Sequence, residues 1–121
     1  LGWKEGTTLA LIDAPRGFET VLGPPPNDST LRRGARGRCD LALWFVTTRK
    51  ELLAALPAWK RLVAAGTKLW IAWPKQGSRI PTDLGQAFVR TTPHAHDLVD
   101  YKICALDPDW SGMCFGKKRS P

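Results

Sequence analysis

The chain has 121 residues, of which 43% are hydrophobic, a length that suits one domain and is too short for two independent cores. Eighteen lysines and arginines against 11 acids give a net charge of +7, which favours acidic partners without giving specificity. The longest apolar run, Leu41 to Val46, is far too short to cross a bilayer. We therefore expect a single cytoplasmic domain over residues 1–121, with no membrane partner.

Cysteine and histidine give no pattern typical of a metal site. Cys39, Cys104 and Cys114 lie in or beside apolar runs without CxxC spacing, so we expect reduced, buried thiols. His94 and His96 stand close together in an expected exposed loop, but structural zinc usually takes four ligands and no nearby pair completes the set. We expect no metal.

The first predicted unit is a strand followed by a short helix and a long linker. Residues 7–12 form a β-branched and leucine-rich run, which predicts a buried strand. Residues 17–22 favour a short helix that ends at Gly23. Residues 23–38 are rich in proline, glycine and arginine, and we interpret them as a linker inside the domain, without a strand.

The second predicted unit is a strand over residues 39–46 and a helix that begins at Thr48. The strand is almost entirely apolar, as in a parallel strand covered on both faces. Thr48 and Glu51 match a capping box. Pro57 is expected to break this helix into two segments.

The third predicted unit is a strand over residues 68–73 and a helix with Pro81 in its first turn. Residues 99–106 and 113–117 then form two antiparallel strands joined through Asp107-Pro-Asp109. The alternating order predicts a single three-layer α/β sandwich with a mostly parallel sheet, helices on both faces and an antiparallel C-terminal hairpin.

Four motifs carry a resemblance to known proteins. They are Asp13-Ala-Pro-Arg-Gly-Phe18, Trp73-Pro-Lys75, Pro81-Thr-Asp83 and the stretch from Val99 to Gly112. In this order they resemble a family of small bacterial proteins known only as an uncharacterised domain family. The order of elements also resembles the second half of a Rossmann-like class I methyltransferase. The resemblance implies a shortened methyltransferase-like fold and brings no established activity.

Two features depart from the methyltransferase pattern. Such enzymes carry a glycine-rich loop after the first strand, but residues 13–17 here contain one glycine and a proline. An acidic residue about twenty positions on would hold the ribose, yet Asp28 is the only acid in that region. We interpret the turn as a relic or replacement of a nucleotide loop, and expect no cofactor, S-adenosylmethionine included.

Ligands of open parallel sheets bind beyond the carboxyl ends of the strands. Arg16 and Lys75 would pair with an anion, and Trp110 would offer a stacking surface. Purely structural roles, such as capping turns and helices or closing the core, remain the alternative at these positions. The cleft candidates are Asp13, Arg16, Gly17, Thr48, Lys75, Asp83, Asp109 and Trp110.

Four arginines of the linker, Arg32, Arg33, Arg36 and Arg38, are candidates for weak, nonspecific phosphate contact. No aromatic residue is interleaved for base stacking, and a solvated loop is the alternative. For the whole chain we favour a non-catalytic binding or regulatory module whose partner is another protein, docking on a tryptophan-rich surface or on the basic linker. A small-ligand binder or enzyme using the cleft, and a nucleic-acid accessory protein, are the alternatives. The oligomeric state stays open.

Overall fold

The computed structural model describes residues 2–34 and 38–118. Its elements, in chain order, are β1 (Thr8–Ile12), α1 (Phe18–Leu22), β2 (Thr30–Arg33), β3 (Leu41–Phe45), α2 (Arg49–Ala64), β4 (Lys68–Pro74), α3 (Gln86–Thr91), a 3₁₀ helix (Thr92–His96), β5 (Leu98–Ala105) and β6 (Trp110–Lys117). The predicted alternation of strands and helices, and the closing hairpin, are confirmed.

All six strands form one sheet in the order β2-β1-β3-β4-β6-β5. The first four strands are parallel to one another, whereas β6 is antiparallel to both β4 and β5. The last strand in the chain therefore lies inside the sheet, and β5 forms its edge. This mixed α/β architecture matches the predicted fold class.

Buried side chains form two clusters, one on each face of the sheet. Alternate residues of β1 belong to different clusters, as the two-residue period of a strand requires. Helix α2 covers one face with Leu52, Leu56, Trp59 and Val63, while α1, of five residues, is the one described helix that packs on the other. Among the described residues, no helix is long and apolar enough to span a membrane.

Five of the six tryptophans are buried, namely Trp44, Trp59, Trp70, Trp73 and Trp110, and Trp3 is half-buried. The suggested tryptophan-rich docking surface is therefore wrong, because these rings anchor the core. Cys39 and Cys114 are buried as expected, but Cys104 is exposed. Cys104 lies on β5, the outermost described strand on that side of the sheet.

The predicted linker contains a strand, which corrects the expectation that residues 23–38 have none. Strand β2 is short and mostly exposed, so it lacks the apolar pattern that marks buried strands. Its position is fixed by backbone hydrogen bonds to the neighbouring segment, from Thr30 N to Thr7 O at 3.0 Å and from Gly34 N to Leu11 O at 2.8 Å. An edge strand with polar side chains leaves little trace in a sequence.

Pro57 does not divide α2, which runs without interruption for 16 residues. Pro57 itself is exposed, and the buried stripe passes along the opposite face of the helix. Packing of that stripe on the sheet outweighs the hydrogen bond that proline removes. The expected two-segment helix is therefore corrected to one.

Helix α3 begins at Gln86 rather than near Pro81. The five residues before it form no helix because Thr82 and Asp83 bond to the start of α2 instead. Thr82 Oγ1 donates to Thr47 O at 2.6 Å, and Asp83 Oδ1 accepts from Arg49 N at 2.8 Å. Asp83 therefore lies at the N-terminus of α2 and not in the first turn of its own helix.

Candidate ligand site at the strand ends

The strand order defines a switch point between β1 and β3. From β1 the chain passes to β2 on one side, and from β3 to β4 on the other. In open α/β sheets this arrangement leaves a crevice beyond the carboxyl ends of the two central strands. The residues that follow them are Asp13 after β1, and Thr47 and Thr48 before α2.

The β1–α1 turn is built by backbone geometry. Gly17 has a φ of 81° and Asp13 a φ of 58°, both in the left-handed region. Phe18 N donates to Pro15 O at 3.2 Å and Thr20 N to Gly17 O at 3.0 Å, which turns the chain directly into α1. Asp13 and Arg16 are exposed at this turn.

An aromatic cluster begins where this turn ends, because Phe18 is the first residue of α1. The ring centroids of Phe18 and Phe45 are 4.7 Å apart, and those of Phe45 and Trp110 are 4.9 Å apart, both in edge-to-face geometry. Exposed fractions are 3%, 3% and 6% for Phe18, Phe45 and Trp110. Trp110 is therefore part of the core under the hairpin, and little of its ring remains for stacking on a ligand.

Thr48 caps α2, as the sequence predicts. Its hydroxyl accepts from Glu51 N at 3.1 Å and donates to Glu51 Oε1 at 2.8 Å. Arg49 Nε donates to Asp83 O at 2.9 Å while the Arg49 guanidinium lies 4.5 Å from the centre of the Phe88 ring. The segment before α3 is thereby fixed against the start of α2. The Thr48 hydroxyl and the Asp83 carboxylate oxygen Oδ1 already make hydrogen bonds within the protein.

A cavity of about 680 Å³ opens next to β4 rather than at the switch point. Lys75 and Asp83 both line it, together with Gln76, Ser78, Gln86 and Ser111. The candidates Asp13, Arg16, Gly17 and Thr48 do not line it. The structure thus brings two of the eight cleft candidates to one cavity.

Asp109 has a structural role in the β5–β6 connection. Its carbonyl oxygen accepts from Lys75 N at 2.8 Å. Asp107 Oδ1 accepts from both Asp109 N and Trp110 N, each at 2.8 Å. The carboxylate that caps this turn therefore belongs to Asp107 and not to Asp109.

Of the described residues, Gly34 and Arg38 come next after β2, and neither carries the carboxylate that would bind a ribose there. The strand ends at Arg33, which forms an exposed ion pair with Glu19. Asp28 precedes β2 and so lies toward its amino end. Arg32 Nη1 donates to Arg38 O at 3.0 Å, while Arg36 lies outside the described residues.

The groups whose pKa is shifted are not among the strand-end candidates. Burial raises the pKa of the Cys39 and Cys114 thiols. A hydrogen bond from His94 lowers the pKa of Asp100, with Nε2 and Oδ1 2.8 Å apart. Residues 2–34 and 38–118 hold no group of three or more histidines, cysteines or acids that could bind a metal ion, and His94 belongs to the 3₁₀ helix rather than to a loop.

Two residues that shape this region were missed by sequence analysis. Phe45 resembles any other member of an apolar strand, and nothing in the sequence marks its place in the aromatic cluster. Thr82 does leave a signal, because a threonine after proline often forms a local turn. Its hydroxyl accepts from Leu84 N at 3.0 Å.

Comparison with known proteins supports the fold alone. No protein-family model matches the chain, and no curated protein sequence matches it significantly. A solved structure, the ribosomal protein L11 methylase from Lactobacillus delbrueckii subsp. bulgaricus, superposes with a TM-score of 0.59 at 12% identity, over 93% of this chain and 70% of that one. The chain therefore has a methyltransferase-like α/β fold.

Proposed function

We propose that this chain is a non-catalytic binding or regulatory module on a degenerate methyltransferase-like fold. The observation that carries the proposal is the cluster of Phe18, Phe45 and Trp110, whose buried rings pack together where the first strand–helix turn enters α1. A cofactor at the switch point would need open backbone at that turn. In this proposal, side chains of the protein's own core take up that space instead.

Two further observations support the absence of the usual cofactor site. The turn has a single glycine, and β2 ends in an arginine that is paired with Glu19. We also propose that the chain belongs to the uncharacterised family of small bacterial proteins, on the strength of the four motifs in their common order. A cytoplasmic location is part of the same proposal.

Thermal denaturation with S-adenosylmethionine or S-adenosylhomocysteine tests this function. A ligand at about 100 times its Kd adds roughly 2.7 kcal/mol, which shifts the melting temperature of a domain this size by several degrees. We expect no shift. A melting-temperature shift that disappears in Asp13→Asn would overturn the proposal. Asparagine suits this position because it accepts the left-handed φ of Asp13.

We propose another protein as the partner, bound at the thinly covered face beside α1. A groove of about 360 Å³ is lined there by Trp3, Val21, Leu22 and Leu106, among others, and Val21 is 48% exposed. An apolar segment of a partner would fill this groove. Once a partner is isolated, Val21→Glu should abolish its binding, whereas Leu53→Glu, at a 51% exposed site on α2, should not.

The cavity beside β4 supports a second candidate, a small-ligand binder or enzyme. Lys75 is half-buried in a cavity of about 680 Å³, a volume typical of ligand pockets. Its ammonium group would pair with a carboxylate or phosphate. Calorimetric titration with simple organic anions tests this candidate, with saturable binding lost in Lys75→Gln as the supporting result. Phosphate contact through Arg32, Arg33, Arg36 and Arg38 stays a prediction.

A further inference from the structure

A groove of about 830 Å³ lies at the other end of the sheet, between the C-terminal turn of α2 and the β5–β6 hairpin. Its charged lining residues are all lysines, Lys68, Lys117 and Lys118. All three are exposed, and none makes an ion pair within residues 2–34 and 38–118. The groove is therefore strongly cationic, with no carboxylate in its wall.

Tyr101 forms an aromatic wall of this groove. It lies at an irregularity in the pairing of β5 with β6, between Asp100 and Lys102. The ring rests on Gly116 so closely that a Cβ there would collide with it, and the hydroxyl donates to Lys117 O at 3.2 Å. Because Tyr101 is nevertheless 53% exposed, the ring is held in place while much of its surface faces solvent.

A fourth lysine extends the positive charge along the hairpin. Lys102 follows Tyr101 in β5 and is opposite Cys114 in β6. Burial raises the pKa of the Cys114 thiol, and the nearby charges of Lys68 and Lys102 oppose that shift. Lys68 and Lys102 thus lie near the same buried thiol, one on each side of β6.

Two carbonyl groups at the helix end beside the groove are already hydrogen-bonded. The C-terminal carbonyls of a helix carry partial negative charge when they are free. Here Leu62 O accepts from Thr67 N at 3.1 Å, and Val63 O accepts from Gly66 N at 3.0 Å. Internal hydrogen bonds therefore satisfy these carbonyls before any ligand approaches.

We propose that this groove binds single-stranded nucleic acid, with an unpaired base stacked on Tyr101 and neighbouring phosphates held by Lys68, Lys117 and Lys118. An exposed aromatic ring inside a cationic groove is the combination that single-strand binding requires. Several separate lysines suit the successive phosphates of a strand better than the phosphate of one free nucleotide. This surface is distinct from the arginine-rich linker and from the proposed protein-binding groove.

Fluorescence anisotropy with a labelled oligouridine and the whole chain tests the stacking step. Tyr101→Leu should weaken binding at least about fivefold, the lower range for loss of one stacked base, whereas Tyr101→Phe should bind like the wild type. Gly116→Ala displaces the ring without removing charge, and should weaken binding in the same way. Wild-type affinity in both Tyr101→Leu and Gly116→Ala would overturn the proposal.

A matched pair of triple variants tests the phosphate contacts. Changing Lys68, Lys117 and Lys118 to glutamine should reduce the slope of log affinity against log salt by about 2, since each phosphate contributes roughly 0.7 for a single strand. Changing the exposed Lys4, Lys50 and Arg79 to glutamine removes the same charge elsewhere on the surface. This variant should change the slope far less. The proposal would be overturned if the two triple variants changed the salt dependence equally. It would also be overturned if the protein bound a duplex as tightly as the single strand, or if uridine monophosphate competed at the same concentrations as the oligouridine.

Discussion

Gly17 adopts a left-handed φ of 81°, and open space surrounds the position where a Cβ would stand. Gly17→Ala should therefore destabilise the protein by about 1 kcal/mol through backbone strain alone. Gly85→Ala is the matched control, because Gly85 also has open space around it but an extended φ of −144°. Urea denaturation of the two variants measures the difference, and equal stabilities would contradict the account of this turn.

Asp100 joins the 3₁₀ helix and α3 to the edge strand through His94 and Arg90. The hydrogen bond from His94 lowers the pKa of Asp100 below the ordinary 3.8. A carboxyl with a lowered pKa stabilises the fold above its unfolded pKa and loses that contribution as the pH falls through its folded pKa. Asp100→Asn should therefore be less stable than the wild type at neutral pH.

The stability difference between the wild type and Asp100→Asn should shrink as the pH falls below about 4, which is the usual pKa of an unpaired aspartate. Urea denaturation of both proteins at a series of pH values measures this difference. Asp28→Asn serves as control, since Asp28 has a positive φ that asparagine accepts. A stability difference for Asp100→Asn that persists unchanged at pH values near 2, where carboxylates are protonated, would contradict the assignment.

At the scale of the element, α2 shows that packing can keep a helix intact around a proline. Pro57→Ala restores one backbone donor and should stabilise the protein by roughly 2 kcal/mol, because the interior cost of proline exceeds its effect on the unfolded chain. Pro25→Ala, in an exposed loop, should give no such gain. Thermal denaturation compares the two, and a melting temperature for Pro57→Ala at or below that of the wild type would refute the expectation.

The elements that sequence analysis predicted well are those whose side chains enter the core. Strands β1, β3 and β4, and the start of α2 at Thr48, follow from apolar runs and one capping pattern. Strand β2 was missed because its exposed side chains do not alternate between core and solvent. The start of α3 was misplaced because Thr82 donates a hydrogen bond to Thr47, and Asp83 accepts one from Arg49, which holds that segment out of a helix.

At the scale of the whole molecule, the class of fold was predictable, whereas the grouping of the candidate site residues in space was not. Alternation of strands and helices predicted a parallel sheet, but only tertiary structure shows that β6 lies between β4 and β5. The cleft candidates were chosen by their position after strands, a rule that gives no distances. It placed Trp110 on a ligand surface, whereas packing against Phe45 buries that ring.

We propose that the switch point between β1 and β3 is closed to an adenosyl cofactor. A titration of the ¹⁵N-labelled protein with S-adenosylhomocysteine, followed by NMR, tests it most directly. The amide signals of Gly17, Phe18 and Thr48, and the indole signal of Trp110, should remain unmoved throughout. Saturable shifts centred on Gly17 and Thr48 would show a working cofactor site and contradict the account.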